Sequence, residues 1–375
     1  MFWKGVVMRV QPKLRRNHHL LSTADLSRQE LLDLLELMGM LKEAHKQGVH
    51  VPLLKDKVLG MIFEISSTRT RISFETAMTE LGGHAEFLAM GNLQIGDGHE
   101  TMRDTAEVVS RMTDAVIMRC NDHAYMEEFA RFSYVPVFNG MTMDGHPTQA
   151  LADVFTMMEH LPNTPLTDMV MMYMGDNNDN ADKLVPIQRE LMWMAAKLGM
   201  TYIACGPEEM WPNESDTAQF KRFAAENNSG AQLLCTTDPF EYIDRVDFTV
   251  SDSFVFGMPE DDPATIARHN KLFPRYQVNQ ALVDAGKPTL GVLHCLPCQR
   301  DEEITSEVLD GPHSLAFEEA ENRLHAQKGI LAWFMYATPK SEALQAYHQG
   351  RIESFLEQAQ RSVPAAKYYE DHSEE

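Results

Sequence analysis

Basic residues are scarce in this chain: 33 Lys plus Arg stand against 55 Asp plus Glu, a formal net charge of −22. A field of that sign repels nucleic acid and anionic membrane surfaces, so neither is an expected partner. No apolar run is long enough to cross a bilayer. Cysteine is sparse as well. The five, at 120, 205, 235, 295 and 298, are odd in number and scattered, unlike a secreted disulfide framework, so a reducing cytoplasm is the expected compartment. The signature GxxxxGK[ST] is missing from the first strand-to-helix junction and GxGxxG follows neither domain's first strand, which removes support for nucleoside triphosphates and dinucleotides. No short-period repeat or low-complexity tract is present.

What is present suits a chain of 375 residues folded as two domains with a cleft between them. The N-terminus carries Lys4, Arg9, Lys13, Arg15 and Arg16 with no acid before Asp25; it reads as a mitochondrial presequence or as a short arm. Ser27-Arg28-Gln29-Glu30 is a capping box opening a helix with Leu31, Leu34, Leu35, Met38 and Leu41 on one stripe. KVLGMIF (57–63) reads as a buried strand, followed by a polar junction and a second helical run. Beyond the turn residues LPNTPLTD, strands at 169–174, 201–205, 246–250 and 290–295 alternate with helices from about 182 and 215. The alternation predicts an α/β protein, two domains each with a mainly parallel sheet flanked by helices. The expected division is 1–160, 161–325 and a C-terminal helical segment, 326–375.

Ser66-Ser67-Thr68-Arg69-Thr70-Arg71 falls where a strand gives way to a helix, so unpaired N–H groups and the positive helix end meet hydroxyls and guanidinium groups there. That is the composition of an anion site, although Ser and Thr that merely cap the helix would look the same. His146 and Gln149, three apart in HPTQALAD, can face one spot from a helix start. HCLPCQR (294–300) spells C-x-x-C, but no second cysteine pair lies nearby to make a metal site.

Taken together, SSTRTRISFETAMTELGG, LQIGDGHETMRDT, IMRC, NGMTMDGHPTQALAD, HCLP and EAENRLHAQKG resemble, in this order, segments of the aspartate/ornithine carbamoyltransferase family. The resemblance spans roughly 25–335 and within the family is nearest to the enzymes that use putrescine. It implies transfer of a carbamoyl group from carbamoyl phosphate to a small amine, without metal or organic cofactor, by a homotrimer with shared active sites. It assigns Ser67, Thr68, Arg69 and Thr70 to the phosphate, with Arg71 supporting the loop, and Gln94 to the phosphate of a neighbouring subunit. Arg119, His146 and Thr70 would polarise the carbamoyl oxygen. Gln149 and the backbone at Cys295 and Leu296 would hold the carbamoyl NH2, and Arg323 would add a cation.

For the amine the resemblance points to Asp252, Cys295, Asn180, Gly257 and Met258. Asp252-Ser253-Phe254-Val255-Phe256-Gly257-Met258 keeps the family's aspartate but replaces the polar part of the ornithine loop, and Gly175 to Lys183 holds three acids against one lysine. A substrate carboxylate needs paired donors or a cation, whereas an extra ammonium wants acids, so a diamine, putrescine, is the expected acceptor. Three alternatives stand beside it: a carbamoyltransferase for ornithine, lysine or another amine, a noncatalytic relative, and a nucleotide-linked oxidoreductase. Cys298 is expected to be incidental.

Overall fold

A computed structural model describes residues 19–95, 99–178, 187–255, 261–337 and 341–362. The predicted opening helix is α1, Arg28–Lys46, and its capping box is closed in both directions: Ser27 Oγ accepts from Glu30 N at 3.2 Å and Glu30 accepts from Ser27 N at 2.8 Å. Leu31, Leu34, Leu35, Met38 and Leu41, the stripe read from the sequence, are all buried.

The first half continues as β1 (Val58–Phe63), α2 (Thr68–Glu80), β2 (His84–Ala89), α3 (Met102–Met112), β3 (Ala115–Arg119), α4 (His123–Phe132), β4 (Val137–Asn139) and α5 (Pro147–His160). Its strands form a parallel sheet in the order β2-β1-β3-β4, and Leu20 bridges Phe138 beside β4. β1 and β3 are almost wholly buried, as expected for strands covered on both faces.

The second half runs β5 (Val170–Met174), α6 (Ile187–Leu198), β6 (Thr201–Cys205), α7 (Glu214–Glu226), β7 (Gln232–Thr236), β8 (Phe248–Ser251), α8 (Pro263–Leu272), α9 (Gln280–Ala285), β9 (Gly291–His294), α10 (Ser306–Leu309) and α11 (Ala316–Met335). Its parallel sheet has the order β7-β6-β5-β8-β9. TYIAC is β6 to the residue. The strands β2, β3, β4 and β7, short or only partly apolar, gave no periodic signal of their own. α11 packs on α1, α2 and α5, so the expected boundary at 325 falls inside one helix that serves the first half.

The chain beyond Met335 is a separate unit containing α12, Glu342–Ser362, with Leu344, Tyr347, Ile352, Phe355 and Leu356 exposed along it. Among the described residues no helix is long and apolar enough to cross a membrane.

The two sheet orders decide where a ligand can sit. In an open parallel sheet the crevice opens at the carboxyl ends of the two strands where the winding reverses. Those are β1 and β3 in the first sheet, β5 and β8 in the second. Phe63 pairs with Arg119, and Ser251 pairs with both Met174 and His294, so Arg119 ends its strand and Asp252 and Cys295 begin immediately past theirs.

Candidate active site

The cleft forms where these strand ends meet, lined by Ser67, Arg69, Thr70, Arg119, His146 and Gln149 from the first half and by Ile187, Asp252, Cys295, Leu296 and Pro297 from the second, with Arg323 from α11 and Met141 closing it.

The anion junction has the geometry read from the sequence. Ser67 is the N-cap of α2, its Oγ accepting from Thr70 N at 3.3 Å, so Thr68 and Arg69 occupy the first turn, whose N–H groups have no partner inside the helix. Arg69 reaches across and donates to the Leu296 carbonyl. Thr68 is exposed and lies outside the cleft lining. Arg71 also turns away, donating to Glu75 at 3.0 Å with its guanidinium 3.9 Å over the Phe87 ring, so it braces the surface beside the loop.

Three guanidinium groups converge at the floor. Arg323 donates to the Gln149 carbonyl oxygen and, at 3.2 and 3.3 Å, to the hydroxyls of Thr70 and Thr148. Arg119 donates to the Gly140 carbonyl at 3.1 Å and keeps a buried Nε without a partner. Burial first, then repulsion from Arg323 and Arg69 at Arg119 and from Arg69 at Arg323, lowers both arginines to about 10, which favours an incoming anion that restores their balance. His146 precedes α5 as its N-cap residue, with Nδ1 3.3 Å from Thr148 Oγ1. Burial first, then Arg323, Arg119 and Arg69, hold its imidazole well below the usual range, so it meets substrate neutral.

On the opposite side Asp252 and Cys295 touch: the thiol donates to Asp252 Oδ1 at 3.1 Å, and Ser253 N donates to the same oxygen at 2.8 Å. Asp252 Oδ2 is buried with no partner, and burial raises the carboxyl above its ordinary range. Burial and then Asp252 push the Cys295 thiol up, which keeps it protonated and unreactive. Both Cys295 and Cys298 are free thiols. Leu296 stands at φ 51, a left-handed conformation held by its N–H on His294 Nδ1 at 2.9 Å and by Arg69 on its carbonyl. Because Leu296 N–H donates to Nδ1, the His294 proton is on Nε2, which lies 3.0 Å from Glu303 Oε1.

One sequence expectation needs correction. Asp176, one of the three acids counted toward an ammonium site, is buried and paired with Arg268 at 2.5 Å, while Arg268 Nε also holds the Phe254 carbonyl at 2.7 Å. Its charge is spent on joining two loops, a partnership 92 residues apart that no local pattern announces. Asn180, Gly257 and Met258, like the acids at 179 and 182, lie outside the described residues. Gln94 is exposed and apart from the cleft. The sequence reading missed Ile187 and Met141 in the lining, and two buried carboxyls behind it, Asp153 and Glu319. Glu319 does begin the EAENR segment, but nothing in that segment shows that it faces Gln149.

Comparison with known proteins agrees with this architecture. Residues 18–159 match the family model "Aspartate/ornithine carbamoyltransferase, carbamoyl-P binding domain", and residues 167–334 match "Aspartate/ornithine carbamoyltransferase, Asp/Orn binding domain". The chain is 41% identical over 315 residues to the ornithine carbamoyltransferase of Wolinella succinogenes, covering 84% of this chain and 97% of that protein. It is 37% identical over 360 residues to the putrescine carbamoyltransferase of Mycoplasma capricolum, covering 93% and 95%. Among solved structures, ornithine carbamoyltransferase from Pyrococcus furiosus superposes with a TM-score of 0.77 at 37% identity, covering 86% of this chain and 98% of that one. With both domain models matched in order and the sheet switch points meeting at one cleft, the chain belongs to the aspartate/ornithine carbamoyltransferase family and is a carbamoyltransferase.

Proposed function

We propose that this carbamoyltransferase moves the carbamoyl group of carbamoyl phosphate to one nitrogen of a diamine, putrescine in preference to ornithine. The observation that carries the choice is the charge of the acceptor wall. Among the described residues lining it, the one ionisable group besides the Cys295 thiol is Asp252, with a buried oxygen lacking a partner. Asp252 itself is kept from the ornithine pattern, but Phe254 and Val255 replace that pattern's polar loop residues and offer a substrate α-carboxylate no paired donor or cation, whereas an amine or ammonium supplies the donor Asp252 lacks. The length of the match to the putrescine enzyme, 360 residues against 315, supports the same reading.

In this reading Ser67, Thr68, Arg69 and Thr70 hold the phosphate through hydroxyls, helix N–H groups and a guanidinium. Arg119, neutral His146 and Thr70 donate to the carbamoyl oxygen, which turns from carbonyl to oxyanion as the amine nitrogen attacks. Gln149 and the carbonyls at Cys295 and Leu296 accept from the carbamoyl NH2, and Arg323 fixes Gln149. The C–O bond to phosphate then breaks, and the departing phosphate dianion takes the proton released by the amine. Asp252 and Cys295 dock the attacking nitrogen, with Asn180, Gly257 and Met258 completing the acceptor site. The chemistry requires no metal or organic cofactor. The first domain would thus bind the donor and the second the acceptor. Cytoplasm is the compartment this small-molecule chemistry suits.

We further propose a homotrimer, in which exposed Gln94 reaches a neighbour's phosphate site and the exposed apolar residues of α12 dock on another copy. Sedimentation of the full chain and of a chain ending at Ala337 checks this: a monomeric full chain would end it.

Ornithine is the second reading, favoured by the identity of the ornithine carbamoyltransferases, 41% and 42% in Wolinella succinogenes and Archaeoglobus fulgidus. One assay separates the two. With saturating carbamoyl phosphate, kcat/KM for putrescine should exceed that for ornithine at least about tenfold, the discrimination expected when a buried charge is left unpaired. Equal or inverted values would assign ornithine.

A further inference from the structure

Behind Gln149, away from the cleft, two carboxyl groups meet. Asp153 on α5 and Glu319 on α11 are fully buried, 0% and 1% exposed. The single amide NH2 of Gln149 donates one bond to Asp153 Oδ1 at 2.7 Å and the other to Glu319 Oε1 at 2.7 Å. Glu319 Oε2 accepts from His294 N at 2.9 Å. Asp153 Oδ2 is buried and faces no donor. Two ionised carboxylates around one amide would leave that oxygen bare and put two like charges together in a fully buried site.

We infer that Asp153 and Glu319 share one proton and act as a positioning pair that locks the Gln149 amide and the His294-Cys295-Leu296 turn toward the carbamoyl group. The shared proton gives Asp153 Oδ2 its missing donor. Arg323 bonds the Gln149 oxygen from the other side, so a flipped amide would set its oxygen against two carboxyl oxygens and its NH2 against a guanidinium. One amide orientation survives, with its oxygen held toward Arg323 and the cleft. The charged and titratable groups facing the pair are Arg323, Asp252 and Cys295. Burial raises both carboxyls, Asp153 to about 7 and Glu319 well above its ordinary value, in keeping with a proton held at neutral pH. The role at carbamoyl NH2 rests on the functional reading above; the shared proton does not.

The test uses the full-length protein. At about pH 8, well above the ordinary carboxyl range, infrared spectroscopy of the wild type should show the carbonyl stretch of a protonated acid, and Asp153→Asn should remove it, because the Asn NH2 replaces the shared proton. That variant keeps the oxygen facing Gln149, so its KM for carbamoyl phosphate should stay within about threefold of wild type. Asp153→Leu, which removes one of the amide's two carboxyl acceptors, should raise that KM about tenfold with kcat little changed, the signature of a lost positioning bond. A band that survives in Asp153→Asn, no such band in the wild type, or an Asp153→Asn variant as impaired as Asp153→Leu would each overturn the pair. If Asp153→Leu fails to fold, Asp153→Asn still decides both points. If the wild type transfers no carbamoyl group to any amine, the functional reading fails while the infrared band still decides the shared proton.

Discussion

On the donor side of the cleft, Arg69, Arg119 and Arg323 converge on one floor with neutral His146 among them; on the acceptor side the described ionisable groups are a carboxylate, Asp252, and a protonated thiol, Cys295. Both sides arise from the same construction, side chains placed at the carboxyl ends of parallel strands at a winding reversal. The difference lies in how charge is left over. The donor side holds cations short of anions, ready for a phosphate. In the second half one acid, Asp176, is neutralised internally by Arg268 outside the cleft lining, and on the acceptor wall one is left wanting, Asp252. Identical scaffolding therefore carries an anion site and an amine site because pairing within each wall is complete in different places.

Breaking the donor wall should have the largest effect. Arg69→Ala removes both a phosphate ligand and the bond that pins Leu296, so kcat/KM should fall on the order of 10³-fold and titration with carbamoyl phosphate should show no saturation. Retained saturation would detach Arg69 from phosphate binding.

Next comes the internally neutralised acid. Arg268→Ala removes the guanidinium that faces the buried Asp176 carboxylate, and chemical denaturation should show a loss of about 3 kcal/mol. The double change Arg268→Ala with Asp176→Ala should recover part of that loss; no recovery would mean that Arg268 stabilises through the Phe254 carbonyl instead.

A smaller effect tests the acid left wanting. Asp252→Asn keeps an oxygen for Ser253 N and removes the charge, so KM for the amine should rise about tenfold while KM for carbamoyl phosphate holds. The reverse pattern would move Asp252 to the donor side.

The smallest effect concerns buried imidazoles. His146, and His325 on α11 at about 3, are held neutral in the folded chain, mainly by burial. The unfolded chain takes up protons at these groups near pH 6.5 and the folded one does not, so stability is complete above that pH and declines as pH falls below it. Each group should contribute about 1 kcal/mol of loss over the first pH unit below about 6.5. His325→Leu should flatten the decline, read by denaturation at several pH values, without changing carbamoyl phosphate binding. An unaltered slope would mean that His325 titrates normally.

How much of this was legible beforehand depended on distance along the chain. α1 was readable because its cap and its stripe repeat within a few residues, and the phosphate junction because Ser67 to Thr70 sit together at a strand end. His146 and Gln149 share one helix start. Locating Asp252 and Cys295 relied on a family resemblance, and their contact depends on the register that pairs Ser251 with His294. The loop acids misled for the same reason: their sign was visible, and the arginine that cancels Asp176 was not.

The sequence by itself determined the local elements, the absence of a nucleotide fingerprint and the cluster of groups that suits an anion, because helix caps, strand runs and turns are set by neighbours. Only the tertiary structure decided which charges are already satisfied. Arg69 meets Leu296 across 227 residues, and Gln149 meets Glu319 across 170. Bonds of that span leave no period or spacing to read, since they depend on how two sheets and α11 pack against one another.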